Sequence, residues 1–383
     1  MPSILVVDDE PDLEILVRQK FRRRIRAGEL EFLFAQNGAE ALEQLQTRRD
    51  VDMVLSDINM PVMDGLTLIG QLRDVAPMIK AVVVSAYGDM ENIRTAMNRG
   101  AFDFVTKPID FDDLELTVTR TLAHLEMLRE AVTSREQLVA LRRELDVAAR
   151  MQAQILPGKP LAGPGFQIGA QMTPAKEVGG DFYDYFQIDE NRVGFVIADV
   201  SGKGVPAAIF MAVSYTLMRA RGMDGLAPAK CLELVNAALC RDNDEAMFVS
   251  VFYGVLETST GKLAYCNAGH NPPILRRANG DVSPLEDKGG PALGVIDDAT
   301  FDQATVDFQP GDTLLLYTDG VTEAFDETGE PYGESALMDV FKRLGSADPL
   351  AVAETIETVV IDHTGDAEQH DDITTLVLRR PLD

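Results

Sequence analysis

The chain has 383 residues, 46% of them hydrophobic, enough for two or three domains that each bury a core. Its formal net charge of −27 creates a field that repels nucleic acid and anionic membrane, so neither is expected as a partner. Three cysteines, Cys231, Cys240 and Cys266, form no CxxC pair and fit a reducing, cytoplasmic setting better than a disulfide framework.

The N-terminal stretch MPSILVVDDEPD turns acidic by residue 8 and lacks the basic flank of a signal peptide, and no apolar run approaches membrane-spanning length. Short β-rich runs follow at SILVV (3–7), EFLFA (31–35), DMVLS (52–56), KAVVVS (80–85) and AFDFV (101–105). Helical stretches such as DLEILVRQKF (12–21) and AEALEQL (39–45) lie between them. Five βα units predict a doubly wound (βα)5 parallel sheet with its functional groups at the carboxyl ends of the strands. The basic run KFRRRIR (20–26) reads as a solvated helix end.

From about residue 111 to 156 Gly and Pro are absent, which predicts one long helix. Apolar residues fall at Val118, Leu122, Leu125 and Val132, then at Leu138, Leu141, Leu145, Ala148 and Ile155, with Gln152 in the seam. The seam slips near TSREQ (133–137), as a stutter does. A dimer-forming coiled coil is expected, in preference to an amphipathic helix lying on its own domain. PGKPLAGPG (157–165) marks a domain boundary. Beyond it, RVGFVIAD (192–199), FVSVFYGVLE (248–257), KLAYCNAG (262–269), DTLLLYTD (312–319) and ITTLVLRR (373–380) are strand-like. Two helical stretches, 206–221 and 228–240, stand among them, and the whole predicts an α+β domain with much antiparallel strand. The expected division is residues 1–120, a helical linker 121–157, and 158–383.

Asp8 and Asp9 follow the first strand, Asp57 the third in LSDINMPVMDG (55–65), Ser85 ends the fourth, and Lys107 follows the fifth in TKP (106–108). Three crowded carboxylates repel one another unless a hard cation sits among them, and Mg2+ suits oxygen ligands. A carboxylate beside such a cation and a lysine can attack a phosphoryl group, because both charges neutralise the transferring oxygens. DDE, SDINMPVMDG and TKP, in this order, resemble the receiver domain of response regulators over residues 1 to about 120. The resemblance implies that Asp57 accepts phosphate from a sensor histidine kinase. It implies that Asp8, Asp9, Asp57 and the carbonyl of Asn59 hold Mg2+, and that Ser85 and Lys107 contact the phosphoryl group. Phe104 takes the switch-aromatic position.

A second acidic constellation lies further on. IADVSGKG (197–204) is no phosphate-binding P-loop, since Ile197 and Gly204 stand where that motif needs Gly and Ser or Thr. Asp199 is the better candidate. Similar acids rim other β-runs: Asp181 in GGDFYDYF (179–186), Asp319 in YTDGVTEA (317–324), and Asp371 and Asp372 in HDDITTLV (370–377). His124, His270, His363 and His370 have no paired ligand spacing for zinc, so an all-oxygen site for Mg2+ or Mn2+ follows.

GGDFYD, ADVSGKG, NAGHNPP (267–273), TDGVTEA and DDIT, with the helix LDVAARMQAQILP (145–157) ahead of them, resemble the metal-dependent serine/threonine protein phosphatases (the PPM family). The closest branch is the bacterial one named for sporulation and stress sigma-factor phosphatases. The resemblance implies a β-sandwich flanked by helices with two Mn2+ or Mg2+ ions at one end. Asp181 and Asp199, with the carbonyl of Val200, would bind the metals; Asp319 and either Asp371 or Asp372 would complete the set, motif alignment favouring Asp371. Lys203 is a possible contact for the substrate phosphate. Two such ions can activate a water without any protein nucleophile. Eukaryotic members place a histidine, a proposed general acid, where this chain has Ser201, so leaving-group protonation is expected from water. His270 reads as a hydrogen-bonded turn residue.

These resemblances imply a cytoplasmic response regulator whose output is a phosphoserine/phosphothreonine phosphatase acting on an anti-sigma-factor antagonist of the STAS type, with a homodimer formed through the linker helix. The alternative is a non-enzymatic, phosphorylation-dependent adaptor that binds a sigma factor or anti-sigma regulator. The retained Asp181, Asp199, Asp319 and Asp371 argue against it.

Overall fold

Five short strands, β1 (Ser3–Val7), β2 (Glu31–Ala35), β3 (Met53–Asp57), β4 (Lys80–Ala86) and β5 (Asp103–Lys107), pair in parallel in the order β2-β1-β3-β4-β5. Five helices connect or flank them: α1 (Pro11–Lys20), α2 (Arg22–Arg26), α3 (Gly38–Thr47), α4 (Gly65–Val75) and α5 (Met90–Asn98). The strands read as continuous apolar runs because both faces are covered. Leu5 and Val7 pack with Leu45 and Leu68 on one face, while Ile4 and Val6 pack with Val17 and Leu114 on the other. These coordinates are a computed structural model that describes residues 1–48, 50–86, 89–241 and 243–382, and they fall into two units, Met1–Ala140 and Leu141–Asp383.

The expected long helix is α6 (Phe111–Ile155), unbroken over 45 residues. Its apolar positions divide into two sets. Leu114, Val118 and Leu125 are buried, and Leu122 packs beside them against the β-sheet of the first unit. Here the alternative weighed for the whole helix, packing on its own domain, describes its first turns, and Val118, Leu122 and Leu125 are core residues rather than part of an intermolecular seam. Leu138 and Leu141, by contrast, are 61% and 53% exposed.

The second unit carries β6 (Leu161–Gly163), β7 (Phe166–Thr173), β8 (Phe182–Gln187), β9 (Arg192–Val200), β10 (Val249–Glu257), β11 (Lys262–Ala268), β12 (Ile274–Arg276), β13 (Val282–Pro284), β14 (Gly289–Gly290), β15 (Ala304–Asp307), β16 (Thr313–Tyr317) and β17 (Ile373–Arg379). One sheet runs β14-β11-β10-β9-β8 with β15 on β11, the other β13-β12-β16-β17-β7-β6. Phe195, Phe252 and Tyr265 from the first interleave with Leu314, Leu316, Leu376 and Leu378 from the second. The outer face of the first sheet is covered by α7 (Val205–Met223) and α8 (Pro228–Leu239), through Met211, Met218, Leu232 and Val235. The short α9 (Asp319–Thr322) follows β16, and α10 (Glu334–Leu344) and α11 (Pro349–Thr364) cover the second sheet through Leu337, Phe341, Ile356 and Val360. Among the described residues no helix is long and apolar enough to cross a membrane.

Candidate functional site

Each unit gathers acids at one end of its sheets. In the first, β1 and β3 are neighbours where the strand order reverses, the usual crevice of a doubly wound sheet. Asp8 and Asp9 follow β1 and Asp57 ends β3, so their carboxylate oxygens come within 4.8 Å of one another, the one such group among the described residues. Lys107, at the end of β5, reaches across to Asp57 Oδ2 at 2.7 Å, Asp8 Oδ2 at 3.1 Å and Glu10 Oε1 at 3.3 Å. Asp57 Oδ1 accepts the backbone N–H of Ile58 at 2.6 Å and of Asn59 at 3.4 Å. Gly65 closes the loop after Asp57; a Cβ there would stand 2.0 Å from the Asp57 carbonyl oxygen, so no other residue fits.

Burial pushes the Asp8 carboxyl up, against the pull of the Glu10 amide and Lys107. Burial pulls the Lys107 ammonium down, but its bonds to Asp57 and Asp8 outweigh that and hold it above the ordinary lysine value. Ser85 is buried at the end of β4, with its hydroxyl 3.4 Å from Asp89 Oδ2, and Phe104 lies on β5 at 37% exposure. Glu10 was missed from sequence, although the acidic run DDE pointed at it. The clustered carboxylates of Asp8, Asp9 and Asp57 make an all-oxygen donor set that suits Mg2+.

In the second unit, Asp199 lies near the end of β9 and Asp181 immediately precedes the antiparallel β8, with Phe182 opposite Ala198. On the other sheet Asp319 follows β16 and Asp371 and Asp372 precede the antiparallel β17, with Tyr317 opposite Thr375. Antiparallel pairing thus carries acids distant in sequence to the same end of both sheets. Asp181 is 1% exposed, and its Oδ2 accepts the Thr374 hydroxyl at 2.6 Å. Burial first, then the charges of Asp199 and Asp372, push its carboxyl well above the ordinary range. Burial and the charges of Asp319 and Asp371 push Asp199 up to about 7. Burial, Asp371 and Glu323 raise Asp319 likewise. These acids outnumber the one cation beside them among the described residues, Lys203, and the donors are all oxygen, so the set fits Mn2+ or Mg2+.

The adjacent Asp371 and Asp372 differ sharply. Asp372 is 7% exposed; its Oδ1 accepts the Ala175 N–H at 2.8 Å, and its Oδ2 accepts those of Gly180 at 2.7 Å and Asp181 at 3.2 Å. Asp371 faces the other acids, and its Oδ2 pairs with Lys203 at 2.9 Å. Lys203 also donates to the His370 carbonyl, so its two partners are protein groups beside the acids. Gly202 and Gly204 have φ of 86° and 77°, a left-handed geometry that only glycine takes without strain, and they bend the chain from β9 into α7. The backbone carbonyl of Val200 stands 3.0 Å from where a Cβ on Gly180 would be.

The Ser201 hydroxyl accepts the Phe248 N–H at 3.0 Å, a structural bond. His270 is buried, with Nδ1 2.8 Å from the Ser250 hydroxyl; burial pushes the imidazole down to about 4 and keeps it neutral. Burial pushes the Cys231 and Cys266 thiols up to about 12, which removes both as nucleophiles. Thr374 went unnoticed in the sequence because a threonine in a strand carries no signal of its own.

Residues 189–381, 193 of 383 and so just over half of the chain, match the family model of the stage II sporulation protein E (SpoIIE). Residues 4–119 match the response regulator receiver domain. Protein IcfG of Synechocystis sp. is 32% identical over 266 residues, spanning 62% of this chain and 42% of that protein. The phosphoserine phosphatase RsbU of Bacillus subtilis is 28% identical over 273 residues, spanning 71% of this chain and 80% of RsbU. The phosphoserine phosphatase RsbP of the same organism is 30% identical over 205 residues, spanning 52% of this chain and 49% of RsbP. The chain thus spans less than half the length of IcfG and of RsbP. A solved structure of the RsbU and RsbW domains of a Mycobacterium tuberculosis protein superposes with a TM-score of 0.51 at 28% identity, over 57% of this chain and 60% of that one. The SiaA-PP2C domain of Pseudomonas aeruginosa superposes with a TM-score of 0.56 over 63% of this chain and 98% of that one; at 23% identity it bears on the fold alone.

Proposed function

The chain belongs to the stage II sporulation protein E family and carries a response regulator receiver domain, and we propose that it is a two-component regulator whose phosphorylation at Asp57 controls a metal-dependent phosphoserine/phosphothreonine protein phosphatase. The observation that carries the phosphatase reading is the gathering of Asp181, Asp199, Asp319 and Asp371, distant in sequence, at one end of the two sheets, where burial and their mutual repulsion raise Asp181, Asp199 and Asp319. Crowded, buried carboxylates of this kind mark a functional site with a place for a cation.

In the receiver, an Asp57 carboxylate oxygen attacks phosphorus of a phosphohistidine. The P–N bond breaks, the imidazole leaves with its electron pair and takes a proton, and an acyl phosphate forms. Lys107, bonded to Asp57 Oδ2 at 2.7 Å, balances the incoming charge, while Asp8, Asp9 and the Asn59 carbonyl hold Mg2+. In the second unit Asp181, Asp199 with the Val200 carbonyl, Asp319 and Asp371 hold two Mn2+ or Mg2+ ions. Bound there, the ions supply Lewis-acid activation of water and neutralise phosphoryl charge. Asp372 fixes the loop before β8 through three backbone amides, and Thr374 orients Asp181. Lys203 carries positive charge to the rim of the site. The Ser201 hydroxyl, which accepts the Phe248 N–H, is far too weak an acid to protonate a leaving group, so the leaving serine oxygen takes its proton from water.

The substrate we assign is a phosphoserine or phosphothreonine on an anti-sigma-factor antagonist of the STAS type, and the upstream partner is a sensor histidine kinase. The exposed apolar positions of α6 from Leu138 onward support a homodimer. The test is hydrolysis of p-nitrophenyl phosphate and of a phosphorylated antagonist with Mn2+, with and without beryllofluoride on the receiver. Activity should vanish in EDTA and in Asp199→Ala and Asp319→Ala. Near-normal turnover by either folded variant, or in excess EDTA, refutes the metal site. Binding of a sigma or anti-sigma regulator without turnover favours the adaptor instead.

A further inference from the structure

Gln152 lies in the apolar seam of α6, one turn before the helix ends at Ile155. Its side-chain amide makes two bonds to one residue: Nε2 donates to the Gly179 carbonyl at 2.7 Å, and Oε1 accepts the Gly179 N–H at 3.0 Å. A glutamine paired this way holds a peptide as a neighbouring strand would, fixing its position and its orientation together. The next two amides along the chain, those of Gly180 and Asp181, are the ones that hold Asp372 Oδ2. The third residue, Asp181, carries the carboxylate bonded to Thr374. Gly179 has no room for a side chain, since a Cβ would stand 2.3 Å from Asp372 Oδ2. The segment is therefore clamped from both sides, by the helix and by Asp372.

Packing alone does not fix this turn of α6. Beside Gln152, the residues Ala148, Met151 and Ile155 face Val178, Val205 and Ile209 across an apolar groove of about 580 Å3. Met151 is 64% exposed. In such open surroundings a polar bond with defined geometry sets register where loose apolar contact does not.

We propose that Gln152 is the positioning residue through which the long helix sets Asp181: its paired bonds hold Gly179, and with it the two amides and the aspartate that follow. This rests on the phosphatase reading above and adds to it the point at which the helix acts on the site. A shift or rotation of α6 that breaks the pair frees Gly179 and loosens Asp181. A receiver-driven change in the helix thereby becomes a change in metal binding.

The experiment uses the full chain, Gln152→Leu and Gln152→Glu, the second keeping an acceptor for the Gly179 N–H but no donor for its carbonyl. Hydrogen exchange is followed in the peptide that carries the Gly180 and Asp181 amides, over a Mn2+ titration, so that affinity is read at this site and not at the receiver. Gln152→Leu should speed exchange there at least tenfold and weaken Mn2+ protection roughly ten- to a hundredfold, the usual cost of losing a group that orients a metal ligand. Gln152→Glu should fall between it and the parent. Exchange in the peptides of β10 and β16, in the same unit but away from this loop, should match the parent in both, a readout that misfolding of the unit would not spare. If Gln152→Leu does not fold, Gln152→Glu carries the same two readouts. Parental exchange and parental Mn2+ protection in the folded variant overturn the proposal while leaving the phosphatase reading intact. A parent that binds Mn2+ here yet hydrolyses no phosphoserine substrate overturns that reading and leaves the clamp to be judged on exchange alone.

Discussion

Replacing Asp372 and Asp371 in turn tests the division proposed between a scaffold carboxylate and a metal ligand. Asp372 accepts three backbone N–H groups, from Ala175, Gly180 and Asp181, and is 7% exposed. Asp372→Ala leaves those donors without an acceptor. Each lost bond to a charged partner costs about 1.5–3 kcal/mol, less whatever the loop recovers by admitting water. Removal also relieves repulsion, because Asp372 is one of the charges that raise Asp181 and Asp199. The net expectation is roughly 3–5 kcal/mol, or about 6–20 °C in Tm for a unit of this size. The Asp371 side chain is 40% exposed, and its ion pair with Lys203 is worth about 0–1 kcal/mol. Asp371→Ala should therefore melt like the parent in EDTA. With Mn2+ the Asp371 variant should fall behind the parent too. The parent should gain stability, by about 2.7 kcal/mol at a hundred times Kd, and Asp371→Ala should lose most of that gain. Calorimetry in EDTA and in Mn2+ reads both effects. If Asp372→Ala melts within about 2 °C of the parent in EDTA, or Asp371→Ala keeps the full Mn2+ gain, the division of roles is wrong.

The metal-free second unit should lose stability as pH rises. Folded, Asp199 keeps its proton to about 7, against an ordinary value of 3.8, so between these values the folded state binds more protons and stability falls towards neutrality. Urea midpoints in EDTA at pH 5 and pH 8 should differ in that sense for the parent and less for Asp199→Asn; equal slopes in the two refute it. In the receiver, acetyl phosphate should add one base-labile acyl phosphate that Asp57→Asn abolishes, and labelling of that variant to the parental level would remove Asp57 from its role. Leu141→Ala and Leu145→Ala should weaken self-association and alter the turnover response to beryllofluoride together, by about 2–5 kcal/mol in dimer free energy if both positions are packed in the dimer, while Arg143→Ala does little. Sedimentation equilibrium and turnover on the same samples check this, and unchanged values for both leucine variants make α6 a passive tether.

What was legible in the sequence followed from strict local patterns. The apolar runs of β1 and β2 are bounded by turns and charges on both sides, and they stand where the sequence put them. The long helix had no Gly or Pro to hide its extent. β7 (FQIGAQMT) was missed as a strand because polar residues and a glycine interrupt its alternation, whereas β8 (FYDYFQ) stands where Asp181 was read as the rim of a β-run. α10 and α11 were missed because their apolar positions lie among loop-like acids and glycines in a stretch with no strand repeat to set them off. The choice between Asp371 and Asp372 was open from sequence for a physical reason. Adjacent residues at a strand start point to opposite sides, and which side holds backbone amides and which holds acids is set by the loop at 175–181, almost two hundred residues away. Gln152 gave no signal either, since a polar residue in an apolar seam reads as a register device until its partner is seen.

The two acidic sites relieve like-charge repulsion by different means, and the difference bears on how they work together. In the receiver the cation is built in: Lys107 lies between Asp57, Asp8 and Glu10. A phosphoryl group on Asp57 adds negative charge beside that ammonium, and its pull competes directly with Asp8 and Glu10. Lys107 ends β5, and α6 begins four residues later at Phe111, so the strand that answers to the phosphoryl group is the one that leads into the helix. That helix is tied to its own unit by polar groups as well as by its apolar face: Lys20 pairs with Asp112 and Glu115, and Arg129 with the buried Asp52. In the second unit the cation that the acids have at their rim among the described residues is the half-exposed Lys203, while burial and mutual repulsion raise Asp181, Asp199 and Asp319. A site in that condition responds strongly to small displacements, because both the repulsion among its carboxylates and their hold on a cation vary steeply with distance when water is largely excluded. The proposed coupling would therefore need only a small movement of the helix end, because the hold of such acids on a cation depends on where one aspartate stands.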